Sequence, residues 1–267
     1  GKLSGATVGG SVRGGTGDFS GAISSVGDAG TIHVGGDVVG GSATGAAGLS
    51  LSGSIRVGRL SSLTLGGSLI SGIDNTTGTF FENGAILADD DLGSVLIKGS
   101  AIGNFTNPAV ISARGRAAPT ATADVAIGKL TVLGRVEFAQ FLGGYDASGN
   151  AVNADAQIGP VTVGGTWIAS SLVAGAVPGG DGVYGDGDDV KMSGAGVKDD
   201  SRVFSKVASV TIGGQALGAI GFLELFGIVA EVVGAVTVGG TPLPLNPGKS
   251  NDDFVVGLTG DFRVNEV

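Results

Sequence analysis

The stretch Val161-Thr162-Val163-Gly164-Gly165 reads apolar, polar, apolar, Gly, Gly, and it recurs along the chain. Close copies are Ala6-Thr7-Val8-Gly9-Gly10, Ile32-His33-Val34-Gly35-Gly36, Leu63-Thr64-Leu65-Gly66-Gly67, Val210-Thr211-Ile212-Gly213-Gly214 and Val236-Thr237-Val238-Gly239-Gly240. Looser copies are Val95-Leu96-Ile97-Lys98-Gly99 and Leu130-Thr131-Val132-Leu133-Gly134. Successive copies begin 26, 31, 32, 35, 31, 49 and 26 residues apart. A period of roughly 20–50 residues marks a stacked repeat architecture.

Apolar residues at i and i+2 share one face of a strand, and the residue between them takes the other. Ile32 and Val34, Val161 and Val163, and Val210 and Ile212 are therefore expected to point inward. Six of the eight middle residues are Thr, which suits a half-exposed pleated surface. The Gly pair is expected to turn the chain, because Gly enters positive φ without penalty. A second apolar patch follows most copies, as in Asp37-Val38-Val39, Leu69-Ile70 and Trp167-Ile168. A third follows that, as in Ser171-Leu172-Val173-Ala174 and Gly227-Ile228-Val229-Ala230.

Three short strands per period predict an all-β chain folded as a right-handed parallel β-helix, a solenoid of about eight irregular turns with loop excursions. A propeller blade needs four longer strands and does not fit a 26-residue interval. The phrase Gly53-Ser54-Ile55-Arg56-Val57-Gly58 reads as an extra part-copy and leaves the register of the second and third turns open. The apolar stretch from Ala216 to Val233 is read as two strands, Phe222–Phe226 and Ile228–Val232, with a short helix as the alternative. Residues 1–267 read as one elongated domain. Its main excursion lies at about 176–204, inside the 49-residue interval. A tail at about 241–267 is expected to cap the last turn.

Composition agrees with a solenoid and excludes several functions. The chain has 54 Gly in 267 residues, yet 42% of residues are hydrophobic and mean hydropathy is +0.39, so it is not a Gly-rich linker. It has no Cys, which removes disulfides and thiolate metal sites. A net charge of −9 argues against nucleic acid and against anionic membrane surfaces. Glu224 and Glu231 interrupt the longest apolar stretch, so membrane insertion is not expected. The chain opens inside a repeat, which reads as a piece of something longer.

Several stretches carry a resemblance. They are Ile158-Gly159-Pro160-Val161-Thr162-Val163-Gly164-Gly165, the acidic run from Gly179 to Asp189, Val207-Ala208-Ser209-Val210-Thr211-Ile212-Gly213-Gly214, and Asn251-Asp252-Asp253-Phe254 with Gly260-Asp261-Phe262-Arg263-Val264. Together they resemble the Gly-rich repeats at the C-terminal end of large secreted or surface proteins of planctomycete-type bacteria. The resemblance is best from about residue 156 onward. It implies a bacterial extracellular or cell-surface β-solenoid and no particular activity.

The richest local chemistry is the acidic loop after Pro178. Asp181, Asp186, Asp188 and Asp189 alternate with Gly182, Gly185 and Gly187. Calcium takes six to eight oxygens from carboxylates and carbonyls on a sharply turning chain, so these four aspartates are the candidate metal ligands and calcium the candidate cofactor. The spacing is not that of an EF-hand, nor of calcium-binding nonapeptide repeats. A solvated acidic turn is the competing reading. Asp89-Asp90-Asp91 reads as a solvated corner, and Asp199-Asp200 beside Arg202 as a surface pair. His33, the one histidine, takes the outward Thr position. The Thr column has no second Thr column beside it, which argues against an ice-binding face. Trp167 and Ile168 alternate, so one of them must face out.

No catalytic residue is assigned. The expected function is a non-catalytic structural or adhesive module at the bacterial cell surface, calcium-stabilised, with self-association or surface polysaccharide as its partners. The alternative is a carbohydrate-binding or carbohydrate-cleaving β-helix with its site on the excursions at 139–156 and 176–204. Cleavage would need two carboxylates across a groove, for which Asp124, Glu137, Asp146 and Asp155 are candidates.

Overall fold

A computed structural model describes residues 1–219, 224–257 and 259–267. Among them every regular element is a strand, and most of the strands run parallel in three long ladders. The recurring phrase builds the first ladder. Ala6, Ile32, Leu63, Val95, Leu130, Val161, Val210 and Val236 pair in that order, each with the next copy. The following apolar position stacks in the same way, from Val8 and Val34 to Ile212 and Val238.

The second patch forms a ladder of two-residue strands, pairing Val12, Val38, Leu69, Ala101, Val136, Trp167 and Ala216. The third patch pairs Ile23, Ile55, Ile86, Ile111, Phe141, Leu172, Ile228 and Val264. A chain that visits three ladders in turn and returns one step along is solenoid-like. The inward residues of all three ladders form a single core cluster running from Val12 to Val264. Trp167 sits wholly inside it, edge-on to Phe141 at 5.6 Å and to Phe262 at 6.3 Å. Its indole N–H donates to the Ser170 carbonyl at 2.8 Å, so the buried polar atom is satisfied. Ile168 takes the outer, half-buried position.

Two sequence readings need correction. Ile55–Val57 is not a part-copy of the phrase; it is the third-ladder strand of its own turn, pairing with Ile23–Ser25 and Ala85–Ala88. The extra length of this turn and the next makes two short side ladders, Ala43–Gly45 on Asp74–Thr76 and Leu49–Ser50 on Phe80–Phe81. The Gly pairs also have a different physical role. Of the six complete pairs, only Gly239-Gly240 has positive φ. In the four pairs between the first and the last the constraint is close stacking: a Cβ on Gly35 would lie 2.3 Å from the Gly9 carbonyl oxygen, and one on Gly66 2.2 Å from that of Gly35. The corners touch backbone to backbone, with Gly66 N–H donating to the Val34 carbonyl and Gly67 N–H to that of Gly36.

The third ladder is covered on its outer side as well. Leu87, Ser112, Leu142, Val173 and Val229 are paired in register and face outward, yet all are buried. Tyr145, Tyr184 and Met192 close over Leu142, Val173 and Val229, and Ala147 over Leu87. The excursions are therefore a second layer on one face. At the far end, Phe262–Glu266 pairs parallel with Phe226–Ala230, and Asp253–Val256 pairs antiparallel with Phe262–Glu266. Thr241–Pro242 turns back antiparallel on Val232–Val238. The expected strand Phe222–Phe226 lies partly outside the described residues; the neighbouring strands are Phe226–Ala230 and Val232–Val238.

Candidate functional site

The acidic loop leaves the third ladder after Ser171–Ala174. It starts as a small hairpin, Ala176–Val177 against Val190–Lys191. Tyr184 anchors its middle: its hydroxyl meets that of Tyr145 at 2.5 Å, and Tyr145 donates to the Ala176 carbonyl at 2.7 Å. Burial pushes the Tyr145 phenol up to about 12 and Tyr184 higher still, so both are neutral hydrogen-bonding groups. Gly182 and Gly185 take positive φ, which lets the loop fold tightly on this anchor.

The structure brings three of the four expected ligands together. One carboxylate oxygen from each of Asp181, Asp186 and Asp188 lies within 4.8 Å of the others. Each also shapes the loop: Asp181 accepts from Val183 N–H, Asp186 from Asp188 N–H and Asp188 from Gly180 N–H. Desolvation first, then the neighbouring Asp188 and Asp181 carboxyls, push Asp186 up to about 6. A divalent cation among the three would reverse the crowding part of that shift.

Asp189 is turned away from the group and buried. Its Oδ2 accepts from Gly185 N–H at 2.7 Å, Asp186 N–H at 3.2 Å and the Asn265 amide at 3.3 Å. Burial raises its pKa, and those donors work against the rise. Asp189 thus ties the loop to the last strand of the third ladder.

The other titratable residues singled out from sequence are held in structural contacts. Asp124 and Asp155 are wholly buried on neighbouring turns, and Lys198 from the excursion pairs with both, reaching Asp155 at 3.2 Å. Arg116 N–H and the Asn153 amide also donate to Asp124, and Asp200 N–H donates to Asp155. Sequence spacing gives no sign of this clasp, since its members are 74 residues apart at the extreme. Glu137 pairs with Arg135 at 2.7 Å, and Asp146 closes its own loop through Ser148 and Asn150. Asp91, expected in a solvated corner, is buried against Arg59 at 3.0 Å. Asp200 and Arg202 form the expected surface pair at 2.7 Å. His33 lies half-buried in the outward column between Thr7 and Thr64.

A cavity of about 230 Å³ opens beside the acidic loop. Its walls come from five separate segments: the loop around Phe105, the successive corners at Phe138 and at Ala169, the acidic loop itself, and Glu224 to Phe226. No helix among the described residues is long and apolar enough to cross a membrane. No protein-family model matches the chain, and no curated protein or solved structure matches it.

Proposed function

We propose that this chain is a non-catalytic structural or adhesive module of a bacterial cell surface. In this reading it is a right-handed parallel β-helix of about eight turns, stabilised by calcium at Asp181, Asp186 and Asp188. The observation that supports it most is the use to which the carboxylates are put. Asp124, Asp155, Asp189 and Glu231 are each buried in contacts that fasten the excursion or the last strands to the ladders. That is the economy of a scaffold. The Asp181, Asp186 and Asp188 group differs, because among the described residues its carboxylates gather without an ion pair to a cationic side chain. Partners in this reading are further copies of the chain or surface polysaccharide.

Thermal unfolding with calcium and with chelator, at matched ionic strength, tests the cation. At about 100 times its dissociation constant a ligand stabilises by roughly 2.7 kcal/mol, or about 5–10 °C in a chain of this size. The shift should vanish in Asp186→Asn. Equal melting in calcium and chelator would return the loop to a solvated turn.

A further inference from the structure

The cavity beside the acidic loop has a lining of one electrostatic sign. Asp181 and Glu224 bring carboxylates to it, and none of its lining residues is Lys, Arg or His. Asp186 and Asp188 stand directly behind Asp181 and deepen the negative field. Four aromatic residues also line it: Phe105, which is half-exposed, Phe138 and Phe226, which are half-buried, and Tyr184, which is buried. Gln140 adds an amide whose side chain makes no hydrogen bond among the described residues. The Glu224 carboxylate is likewise without a hydrogen bond or ion pair among them.

The floor is held in an unusual conformation. Phe138 and Ala169 occupy the same corner of successive turns, and both have left-handed backbone, with φ of 45° and 44°. Such conformations are unfavourable for residues with a side chain, and they persist where the surroundings over-determine them. Here the ladder does so: Phe138 N–H donates to the Ile168 carbonyl and Ala169 N–H to that of Leu217. Both corner residues line the cavity together with the acidic loop.

We propose that this cavity binds a primary ammonium group on a short aliphatic stem. An ammonium has three donors and no acceptor. Asp181, Glu224 and the Gln140 carbonyl offer three acceptors, and the rings accept the charge and the stem together. The volume is below the range of roughly 300–1,000 Å³ usual for larger ligands, so a single small group is the fitting size. A neutral sugar would gain nothing from the uncompensated negative charge. This inference goes beyond the calcium reading and is separable from it, because it needs Glu224 and the aromatic wall. Calcium on Asp181, Asp186 and Asp188 would neutralise one wall and weaken ammonium binding, and by linkage the ammonium would weaken calcium equally.

The test is an NMR titration of the full chain in chelator. The probes are Nα-acetyl-lysine methylamide, 1,4-diaminobutane, n-butanol and glucose. Either cation should bind with a dissociation constant near about 1 mM at low salt and several-fold more weakly at 0.15 M salt. Preference between them tells whether the ammonium is a lysine side chain or a free diamine. Glu224→Gln and Asp181→Asn, both nearly isosteric, should each weaken binding about five- to tenfold while leaving the spectrum of the core unchanged. Saturation by n-butanol or glucose at the same concentrations, or cation binding indifferent to both substitutions, would overturn the proposal. So would the absence of shifts at the Phe105 and Phe138 signals. The titration is then repeated in calcium; loss of the calcium melting shift with ammonium binding intact would sink the metal reading alone.

Discussion

Lys198→Met removes the one cation between Asp124 and Asp155 and leaves its stem in place. Both carboxylates are wholly buried, and each already accepts main-chain or amide N–H donors, which the variant keeps. What remains is two like charges close enough to have shared one ammonium. At about 5 Å and an effective dielectric of 20, their repulsion is roughly 3 kcal/mol. Breaking a buried pair typically costs about 3–5 kcal/mol. The lysine side chain is 40% exposed, so we take the lower end, about 2–3 kcal/mol. Burial pulls the lysine pKa down, but Asp124 and Asp155 outweigh it and the net direction is up. A raised lysine contributes fully below its unfolded value and loses its contribution only in strong alkali, so the whole effect is present at neutral pH.

The loss should appear first as local opening of the excursion, since Lys198 fastens that segment to the turns beneath. Hydrogen exchange of the amides from 178 to 204 should speed up about 30- to 150-fold at neutral pH. Adding Asp155→Asn should recover most of it, because the repulsion then disappears. A rise of less than about threefold, or no recovery in the double variant, would refute the idea that a buried charge clasp holds this layer down.

Two further substitutions test other parts of the argument. Gly66→Ala should destabilise by roughly 3 kcal/mol or more, since its Cβ would strike the Gly35 carbonyl, whereas Gly9→Ala, with open space around it, should be nearly silent in the same urea titration. Glu82 has a buried Oε2 without a hydrogen-bond partner among the described residues, and burial, opposed by Arg56 and aided by Asp146 and Asp89, pushes its pKa up to about 8. An acid raised in the folded state costs stability as pH climbs from its unfolded value to its folded one, here between 4.5 and about 8. Glu82→Gln should remove that slope, so that variant minus wild type grows through this window to at most about 5 kcal/mol and levels off above the folded-state pKa; parallel curves across the range would contradict the assignment.

The sequence by itself determined the ladders. The spacing of Val161 and Val163, repeated eight times, sets inward and outward faces because a strand has a period of two, and a one-residue slip would bury Thr and expose Val. That is why the whole Thr column, from Thr7 to Thr237, comes out in register with His33 and Leu96 in their expected places. The gathering of Asp181, Asp186 and Asp188 was legible for a similar reason, since all three lie on one short Gly-rich turn.

Only the tertiary structure decided the rest. The Gly-Gly corners follow from contact between turns some 30 residues apart, which a local φ argument cannot see. Asp189 left its neighbours because Asn265 lies beside it, on the last strand. The outer layer on Leu142 and Val173 looked like loop because its partners, Tyr145, Tyr184 and Met192, carry no periodicity of their own. Asp124, Asp155 and Lys198 meet for the same reason. Periodic burial repeats in the sequence, whereas a single charge clasp or a cavity wall is made once, from segments whose distance along the chain bears no relation to their distance in space.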